Sequence, residues 1–177
     1  MRPEELKELL NIRPFVPLRI HMTDGRTFDI LKFRTMRLPS GPPEPTDLVL
    51  PDDVGPGGVE GEDRRTRLGA FLRASSIDEL PQLFNVVTGD MSMVGPRPER
   101  PEFVSQFERN VYRYGDRHRV KSGITGWAQV HGLRGKTSIS DRAEWDNFYI
   151  ENFSLWLDLK IMLLTFGAIG GYIAKVE

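Results

Sequence analysis

The chain of 177 residues contains no cysteine. Without a thiol there is no disulfide framework, no thiolate metal site and no cysteine nucleophile. The sequence also lacks an uninterrupted run of 18 apolar residues, so a simple transmembrane helix is not expected. Its charged N-terminus has no apolar core of the kind that a signal peptide needs. A formal net charge of −1 gives no indication of nucleic-acid binding, and a globular domain of ordinary composition remains.

Acidic and basic residues are separated along the chain although their totals nearly balance. Residues 38–63 contain seven acids and no lysine or arginine, and the abundance of proline and glycine over 38–62 predicts a long acidic loop. Residues 113–136 contain six lysines and arginines against one acid. Such a stretch beside glycines suits an anionic ligand such as a diphosphate, and a solvated basic face is an equally good interpretation of the stretch alone.

The hydrophobic pattern predicts an α+β fold, with mostly short helices around a small antiparallel β-hairpin or sheet. Alternation on either side of Asp24-Gly25 predicts the hairpin, from residues 18–22 and 27–31. Helical periodicity predicts helices at 3–10, 64–74, 80–87, 101–110 and 140–151, the last with Ser140 as its N-cap, and a short strand is expected at 48–50. The C-terminal segment 155–174 is the most apolar part of the chain and predicts an amphipathic helix, at a membrane interface or in the core.

Asp78 and Glu79 form a pair of adjacent carboxylates just before Leu80-Pro81. Proline is tolerated in the first turn of a helix, so both acids are expected at or just before a helix N-terminus, where unpaired N–H groups favour the ionised carboxylate. An ionised and partly desolvated carboxylate can attack phosphorus. From the local pattern alone, however, Ser76-x-x-Glu79 is more readily interpreted as a capping box.

Three cations elsewhere in the sequence suit anion binding. Arg97 lies between two prolines, which hold its backbone stiffly and present a planar guanidinium suited to phosphate. Arg73 lies five residues before Asp78 and could reach an anion near it, or could cover the helix surface with its stem. Lys32 follows the predicted hairpin, on the same face as Arg34.

Several short motifs occur in one order along the chain. They are Lys32-Phe-Arg-Thr-Met36, Thr66-Arg-Leu-Gly69, Ser76-Ile-Asp-Glu-Leu-Pro-Gln-Leu83, Asn85-Val, Gly89-Asp-Met-Ser92, Val94-Gly-Pro-Arg-Pro98, Gly123-Ile-Thr-Gly-Trp-Ala-Gln129 and Leu157-Asp-Leu-Lys160. Over about residues 25–165 this set strongly resembles the bacterial sugar transferase family, the monotopic polyprenyl-phosphate hexose-1-phosphate transferases.

The resemblance implies a two-step reaction. The aspartate that corresponds to Asp78 attacks the β-phosphate of a UDP-sugar and expels UMP, and a polyprenyl phosphate such as undecaprenyl phosphate then takes the sugar phosphate. Glu79 would assist proton transfer or position the second substrate. The family uses Mg²⁺, which would contact Asp78 and the diphosphate. That agrees with the preference of Mg²⁺ for a carboxylate plus substrate phosphates.

The resemblance also implies which residues bind the substrates. Arg73 and Arg97 match arginines placed for phosphate binding, and Lys32 is a weaker match. The basic stretch from Arg117 to Lys121, with Arg119 and Lys121 as binding residues, would suit the nucleotide or the lipid phosphate. Gln129 ends one of the shared motifs and is expected on the substrate side.

One departure from the family pattern concerns the N-terminus. Residues 1–24 are expected to form an atypical helix and strand where relatives have an apolar membrane segment, and residues 25–177 are expected to form the catalytic domain. The expected location is the cytoplasmic face of the bacterial inner membrane, peripheral or monotopic, with a role in starting exopolysaccharide, O-antigen or capsule repeats. Two alternatives stay open: a truncated module that binds a nucleotide sugar or a partner without turnover, and a soluble magnesium-dependent nucleotide-sugar hydrolase.

Overall fold

The computed structural model describes residues 18–21, 27–37, 65–135 and 137–173. Four sequence predictions lie outside these residues: the helix at 3–10, the turn at Asp24-Gly25, the acidic loop at 38–62 with its strand at 48–50, and the domain boundary after residue 24.

Two pairs of short strands are present among the described residues. Strands β1 (Leu18–His21) and β2 (Thr27–Ile30) pair antiparallel, which confirms the predicted hairpin pairing. Strands β3 (Ser92–Val94) and β4 (Gly123–Thr125) pair parallel, which the sequence analysis did not predict. Parallel strands need a crossover connection, and here the chain between β3 and β4 is mostly helical.

Helices make up most of the described chain, and the α+β class is confirmed. The α-helices are α1 (Arg67–Ala74), α2 (Gln82–Val87), α3 (Pro101–Asn110), α4 (Trp127–Val130), α5 (Ile139–Glu151) and α6 (Leu155–Ile173). Two 3₁₀ helices span Ile77–Glu79 and Tyr114–Arg119. One N-cap prediction is wrong: α5 is capped by Ser138, which accepts a 3.0 Å hydrogen bond from the Asp141 N–H, and Ser140 lies within the helix.

Buried side chains connect α5 to the rest of the fold. Its N-terminal half packs through Ile139 and Ala143 on Phe103 and Phe107 of α3. Its C-terminal half packs through Tyr149 on β3 and α6, with Val94 and Ile161 as its buried neighbours. Helix α5 is therefore the central element against which the segments around β3 are fixed.

Two close backbone contacts need glycine. A Cβ on Gly69 of α1 would lie 1.9 Å from the Thr35 carbonyl oxygen, and a Cβ on Gly123 of β4 would lie 2.1 Å from the Gly95 nitrogen. The first contact brings α1 against the segment after β2, and the second joins β4 to the segment after β3. Any side chain at either position would force these segments apart.

Helix α6 is buried on one face only. Ile161 is fully buried, whereas a row of large apolar side chains on the same helix is exposed: Leu155, Trp156, Leu159, Leu163, Leu164 and Phe166. A helix enclosed on all sides, the competing sequence interpretation, is thus not observed over 155–166. Across the described ranges, no helix combines the length and apolar character needed to cross a membrane.

Candidate active site

The adjacent acids Asp78 and Glu79 lie on the 3₁₀ helix directly before α2, as the sequence predicts. The predicted capping box is not formed, because Ser76 makes no side-chain capping hydrogen bond. Ser76 instead adopts left-handed dihedrals, with φ 57° and ψ 14°. A non-glycine residue in this region is uncommon and often marks a functional turn. Both carboxylates are buried, and neither serves as a helix cap.

Lys32 approaches both carboxylates from the segment after β2. Its Nζ lies 3.0 Å from Asp78 Oδ2 and donates a 3.1 Å hydrogen bond to Glu79 Oε1. The backbone on each side of Lys32 is anchored: the Leu31 N–H donates to the side chain of Asn85 on α2, and the Phe33 N–H donates to the Asp78 carbonyl. Residues 47 positions apart are thereby brought together, so the weaker sequence match at Lys32 is placed beside the pair.

Glu79 is held by two cations. Arg97 donates a hydrogen bond to each oxygen of the carboxylate, at 2.5 Å to Oε1 and 3.3 Å to Oε2. Burial alone would raise the pKa of Glu79, but Arg97 and Lys32 more than offset burial and hold that pKa well below its usual range. In turn, Glu79 raises the pKa of Arg97 above its usual value. Glu79 is therefore ionised at neutral pH and already fully engaged.

Asp78 is more deeply buried than Glu79 and has different contacts. Its side chain is only 3% exposed, and Oδ2 is within ion-pair distance of Lys32 yet makes no hydrogen bond. The contact between Lys32 Nζ and Asp78 Oδ2 has the distance of an ion pair but not the angle of a hydrogen bond. A carboxylate with charge compensation and a free lone pair can act as a nucleophile or as a metal ligand.

The residues around this pair leave one carboxylate oxygen for the predicted Mg²⁺. Over the described ranges, no group of three or more His, Cys, Asp or Glu side chains could hold a metal ion. Mg²⁺ is commonly bound by one or two carboxylates, with substrate phosphates and water completing its shell. Because Glu79 is occupied by Arg97 and Lys32, Asp78 is the carboxylate of the pair whose Oδ2 fits that role.

Arg97 is fixed by the backbone around it as well as by its flanking prolines. The Gly95 N–H donates to the Thr125 carbonyl at 2.9 Å, and the Gly123 N–H donates to the Pro96 carbonyl at 2.9 Å. These bonds extend the β3–β4 pairing up to Arg97. The Arg97 carbonyl itself accepts a 3.0 Å hydrogen bond from Arg117.

The other predicted binding residues lie on separate elements of the fold. Arg73 is in the last turn of α1, and its carbonyl accepts from Ser75 and Ser76 at the entrance to the 3₁₀ helix. Arg119 is exposed and donates to the Asp116 carbonyl, and Lys121 is exposed and donates to the Gly89 carbonyl.

Gln129 is buried on α4. Its Nε2 donates to the Ile124 carbonyl at 3.2 Å, while its Oε1 has no hydrogen-bond partner. Substrate binding by Arg73, Arg119, Lys121 and Gln129 stays a prediction.

Arg117 belongs to the basic stretch that the sequence assigned to a nucleotide or lipid phosphate, but it is only 1% exposed. Its guanidinium donates to Asp146 Oδ2 from Nε at 3.2 Å and from Nη2 at 2.7 Å, and to the Tyr114 hydroxyl from Nη1 at 2.9 Å. Arg117 is therefore committed to internal partners and is not open to a ligand.

Arg134 is a residue that the sequence analysis counted only as part of the basic stretch. It lies on an exposed loop between Gly132 and Gly135, both of which have positive φ. Burial and the nearby Arg97 lower the pKa of Arg134, and Glu79 acts in the opposite direction. Arg134 is thus close enough to the Arg97–Glu79 pair for their charges to interact. The sequence signal that could have identified Arg134 is its position between the two glycines of a Gly-x-x-Gly loop.

Comparison with known proteins identifies a matching family and several similar relatives. The model of the family described as "Bacterial sugar transferase" matches residues 15–171. A UDP-glucose:undecaprenyl-phosphate glucose-1-phosphate transferase of Xanthomonas campestris pv. campestris is 44% identical over 158 residues, which cover 85% of this chain and 30% of the relative.

Two further relatives are named for different sugars, one for N-acetylgalactosamine and the other for glucose. A UDP-N-acetylgalactosamine-undecaprenyl-phosphate N-acetylgalactosaminephosphotransferase of Aeromonas hydrophila is 50% identical over 143 residues, covering 80% of this chain and 31% of the relative. A UDP-glucose:undecaprenyl-phosphate glucose-1-phosphate transferase of Caulobacter vibrioides is 43% identical over 145 residues, covering 80% of this chain and 51% of the relative. The chain thus spans between about a third and a half of the length of these relatives.

Proposed function

We propose, since the chain belongs to the bacterial sugar transferase family, that it transfers a hexose-1-phosphate from a UDP-sugar to a polyprenyl phosphate such as undecaprenyl phosphate. The observation that carries the proposal is the buried pair of carboxylates, in which Glu79 is saturated by two cations while Asp78 Oδ2 makes no hydrogen bond. The reaction would start the assembly of an exopolysaccharide, O-antigen or capsule repeat.

In the first step Asp78 is the nucleophile. A carboxylate oxygen attacks the β-phosphorus of the UDP-sugar, the bond from that phosphorus to the bridging oxygen breaks, and UMP leaves with the electron pair. The sugar phosphate is then joined to Asp78 as an acyl phosphate. Burial of Asp78 supports this role, because a desolvated carboxylate is a stronger nucleophile than a hydrated one.

Glu79 acts as the organiser of two cations and not as an acid. Its pKa is held well below the usual range by Arg97 and Lys32, which outweigh burial, so it carries no proton to donate at neutral pH. With Glu79 in place, Lys32 and Arg97 are oriented toward the position of an anion bound at Asp78. Arg134 would add a third positive charge on the same substrate. Charge that develops on phosphoryl oxygens is stabilised most by such preorganised donors.

In the second step an oxygen of the lipid phosphate attacks the phosphorus of the acyl phosphate. The bond to the Asp78 oxygen breaks, the carboxylate is restored, and the product is a polyprenyl diphosphate sugar. When bound, Mg²⁺ would be held by Asp78 together with the substrate phosphates and would neutralise part of their charge.

The second substrate, a polyprenyl phosphate, requires that the protein contact a membrane. Exposed apolar side chains support such a contact. Trp156 on α6 is 74% exposed and Phe84 on α2 is 68% exposed, each among further exposed apolar neighbours. Contiguous apolar surface of this kind marks membrane or protein contacts. We place the protein at the cytoplasmic face of the inner membrane, peripheral or monotopic.

The test is a reaction of the purified protein with Mg²⁺, a panel of UDP-hexoses and detergent-solubilised undecaprenyl phosphate. UMP release together with a lipid product, both lost in Asp78→Asn, is the expected result and would identify the sugar. UMP release that leaves free sugar phosphate would instead indicate a hydrolase. Nucleotide-sugar binding without any UMP release would contradict the proposal and indicate a binding module.

A further inference from the structure

The buried ion pair between Arg117 and Asp146 has a direct contact with the site. Arg117 Nη2 donates both to Asp146 Oδ2, at 2.7 Å, and to the backbone carbonyl of Arg97, at 3.0 Å. The side chains of Arg117 and Asp146 are 1% and 4% exposed, so solvent does not weaken the pair. Arg97 in turn donates both of its hydrogen bonds to Glu79. An unbroken chain of contacts therefore runs from α5 to the carboxylate pair.

A second buried arginine, Arg142, lies on α5 itself and holds the end of the segment that contains Arg97. Arg142 donates to Glu99 Oε1 at 3.1 Å and also to the Gly135 carbonyl. Glu99 is two residues after Arg97, and Gly135 directly follows Arg134. One turn of α5 separates Arg142 from Asp146, so a single helix sets the position of the Arg97 segment and of the Arg134 loop.

We infer that Arg117 and Asp146 are positioning residues, which fix the backbone of Arg97 so that its guanidinium meets Glu79 with both nitrogens. The inference rests on the proposed function only for its catalytic consequence. Pro98 disfavours the helical region for Arg97, and Pro96 has a fixed φ of its own, so the backbone on either side of Arg97 is restricted. A hydrogen bond to the Arg97 carbonyl therefore limits the positions that the guanidinium can reach.

The competing explanation is that this buried pair only stabilises the fold. A replacement that breaks it is expected to destabilise the protein under either explanation, so loss of stability does not decide between them. What decides is whether the effect of the replacement passes through Arg97.

The experiment compares Arg117→Lys and Asp146→Asn with a matched control, Asn147→Ala. Asn147 is the next residue of α5, is equally buried, and donates a hydrogen bond to a backbone carbonyl, that of Arg113, away from the site. Lysine keeps the charge opposite Asp146 but cannot bridge Asp146, Tyr114 and the Arg97 carbonyl at once. Asp146→Asn provides a second variant if Arg117→Lys does not fold.

Two readouts are measured on each full-length variant. The first is the exchange with water of the Arg97 Nη–H protons, which donate to Glu79, followed by ¹⁵N NMR and assigned with Arg97→Lys. The second is the kcat for UMP release with a UDP-hexose, in the wild-type and Arg97→Gln backgrounds. We expect exchange at Arg97 to become about tenfold faster in the two positioning variants. We expect their kcat to fall by about 10- to 100-fold, and the loss to disappear in the Arg97→Gln background. Asn147→Ala should change neither readout.

Equal exchange at Arg97 in Arg117→Lys, Asp146→Asn and Asn147→Ala would overturn the inference, as would an undiminished loss of kcat in the Arg97→Gln background. The NMR readout needs no turnover. If the wild type released no UMP, the proposed function would fail, and the exchange at Arg97 would still decide whether Arg117 and Asp146 position it.

Discussion

Two of the arginine–carboxylate pairs in the described part of the molecule have the same chemistry and different surroundings. In the site pair, Arg97 with Glu79, the arginine is 32% exposed, and Lys32 beside it is 30% exposed. In the scaffold pair, Arg117 with Asp146, both partners are almost fully buried. The first pair can meet a ligand and the second cannot. Exposure, more than residue type or local spacing, therefore separates a cation that a ligand can reach from one that it cannot.

The largest expected difference between the two regions concerns catalysis. Asp78→Asn removes the nucleophile and should lower UMP release on the order of 1,000-fold or more, since loss of a nucleophile removes the covalent route. Asparagine is nearly isosteric, so the free energy of unfolding should change little. Initial rates and urea unfolding of the same preparations measure both quantities. A variant that unfolds in proportion to its loss of rate would show that Asp78 belongs with the scaffold.

The next effect is on the site pair itself. Glu79→Gln removes the charge that holds Arg97 and Lys32, so we expect UMP release to fall by about 10- to 100-fold. The protein should keep binding the UDP-sugar, because both cations remain. Rates and calorimetric binding distinguish these outcomes. Loss of binding with an unchanged kcat would mean that Glu79 contacts the substrate and does not organise the cations.

Breaking the scaffold pair should lower the stability of the protein as well as displace Arg97. Asp146→Ala leaves the Arg117 guanidinium buried without its carboxylate, which is expected to cost about 3 to 5 kcal/mol in the free energy of unfolding. Urea denaturation measures this loss. A change below about 1 kcal/mol, the usual value for exposed ion pairs, would contradict the burial of this pair.

Acid should affect the scaffold before it affects the site. Burial, with a smaller contribution from Arg117, lowers the pKa of His118 to about 4, and the ring lies on Tyr114. Between the usual histidine pKa of about 6.5 and the folded value, the unfolded state binds more protons, so stability falls as the pH falls through this window. After allowance for partial exposure, we expect a loss of about 1 to 2 kcal/mol.

His118→Phe should remove this part of the acid sensitivity. Thermal unfolding of both proteins from pH 7 to pH 4 provides the measurement. Glu79, whose pKa is held well below its usual range by Arg97 and Lys32 despite burial, stays ionised over the same window. Parallel curves for wild type and variant would assign the acid sensitivity elsewhere.

Much of the fold follows from the sequence because the helices carry a clear apolar period. Helix α3 has the predicted bounds, and α5 and α6 agree within one residue at each end. The parallel pairing of β3 and β4 could not be predicted, because three-residue strands leave no alternation to detect. It depends on glycines that allow close backbone contact, and local propensity does not report such contacts.

The site was predictable in part for a similar reason. Local spacing favoured a capping box at Ser76 and Glu79, and only the ordered motifs of the whole chain favoured a catalytic pair. The partners of Glu79 lie 47 and 18 residues away, so no local pattern identifies them. The sequence predicts a phosphate ligand for the stretch that begins at Arg117, because the internal partner Asp146 is 29 residues distant and no local pattern identifies it. Contacts between residues far apart in the sequence therefore determine which charged side chains are available to a ligand.

The measurement that tests the central claim most directly is mass spectrometry of the protein after reaction with a UDP-hexose in the absence of lipid phosphate. The account predicts one hexose-phosphate adduct per chain, located on Asp78, formed together with UMP and absent from Asp78→Asn. UMP release by Asp78→Asn at the wild-type rate, or an adduct on another residue, would contradict it.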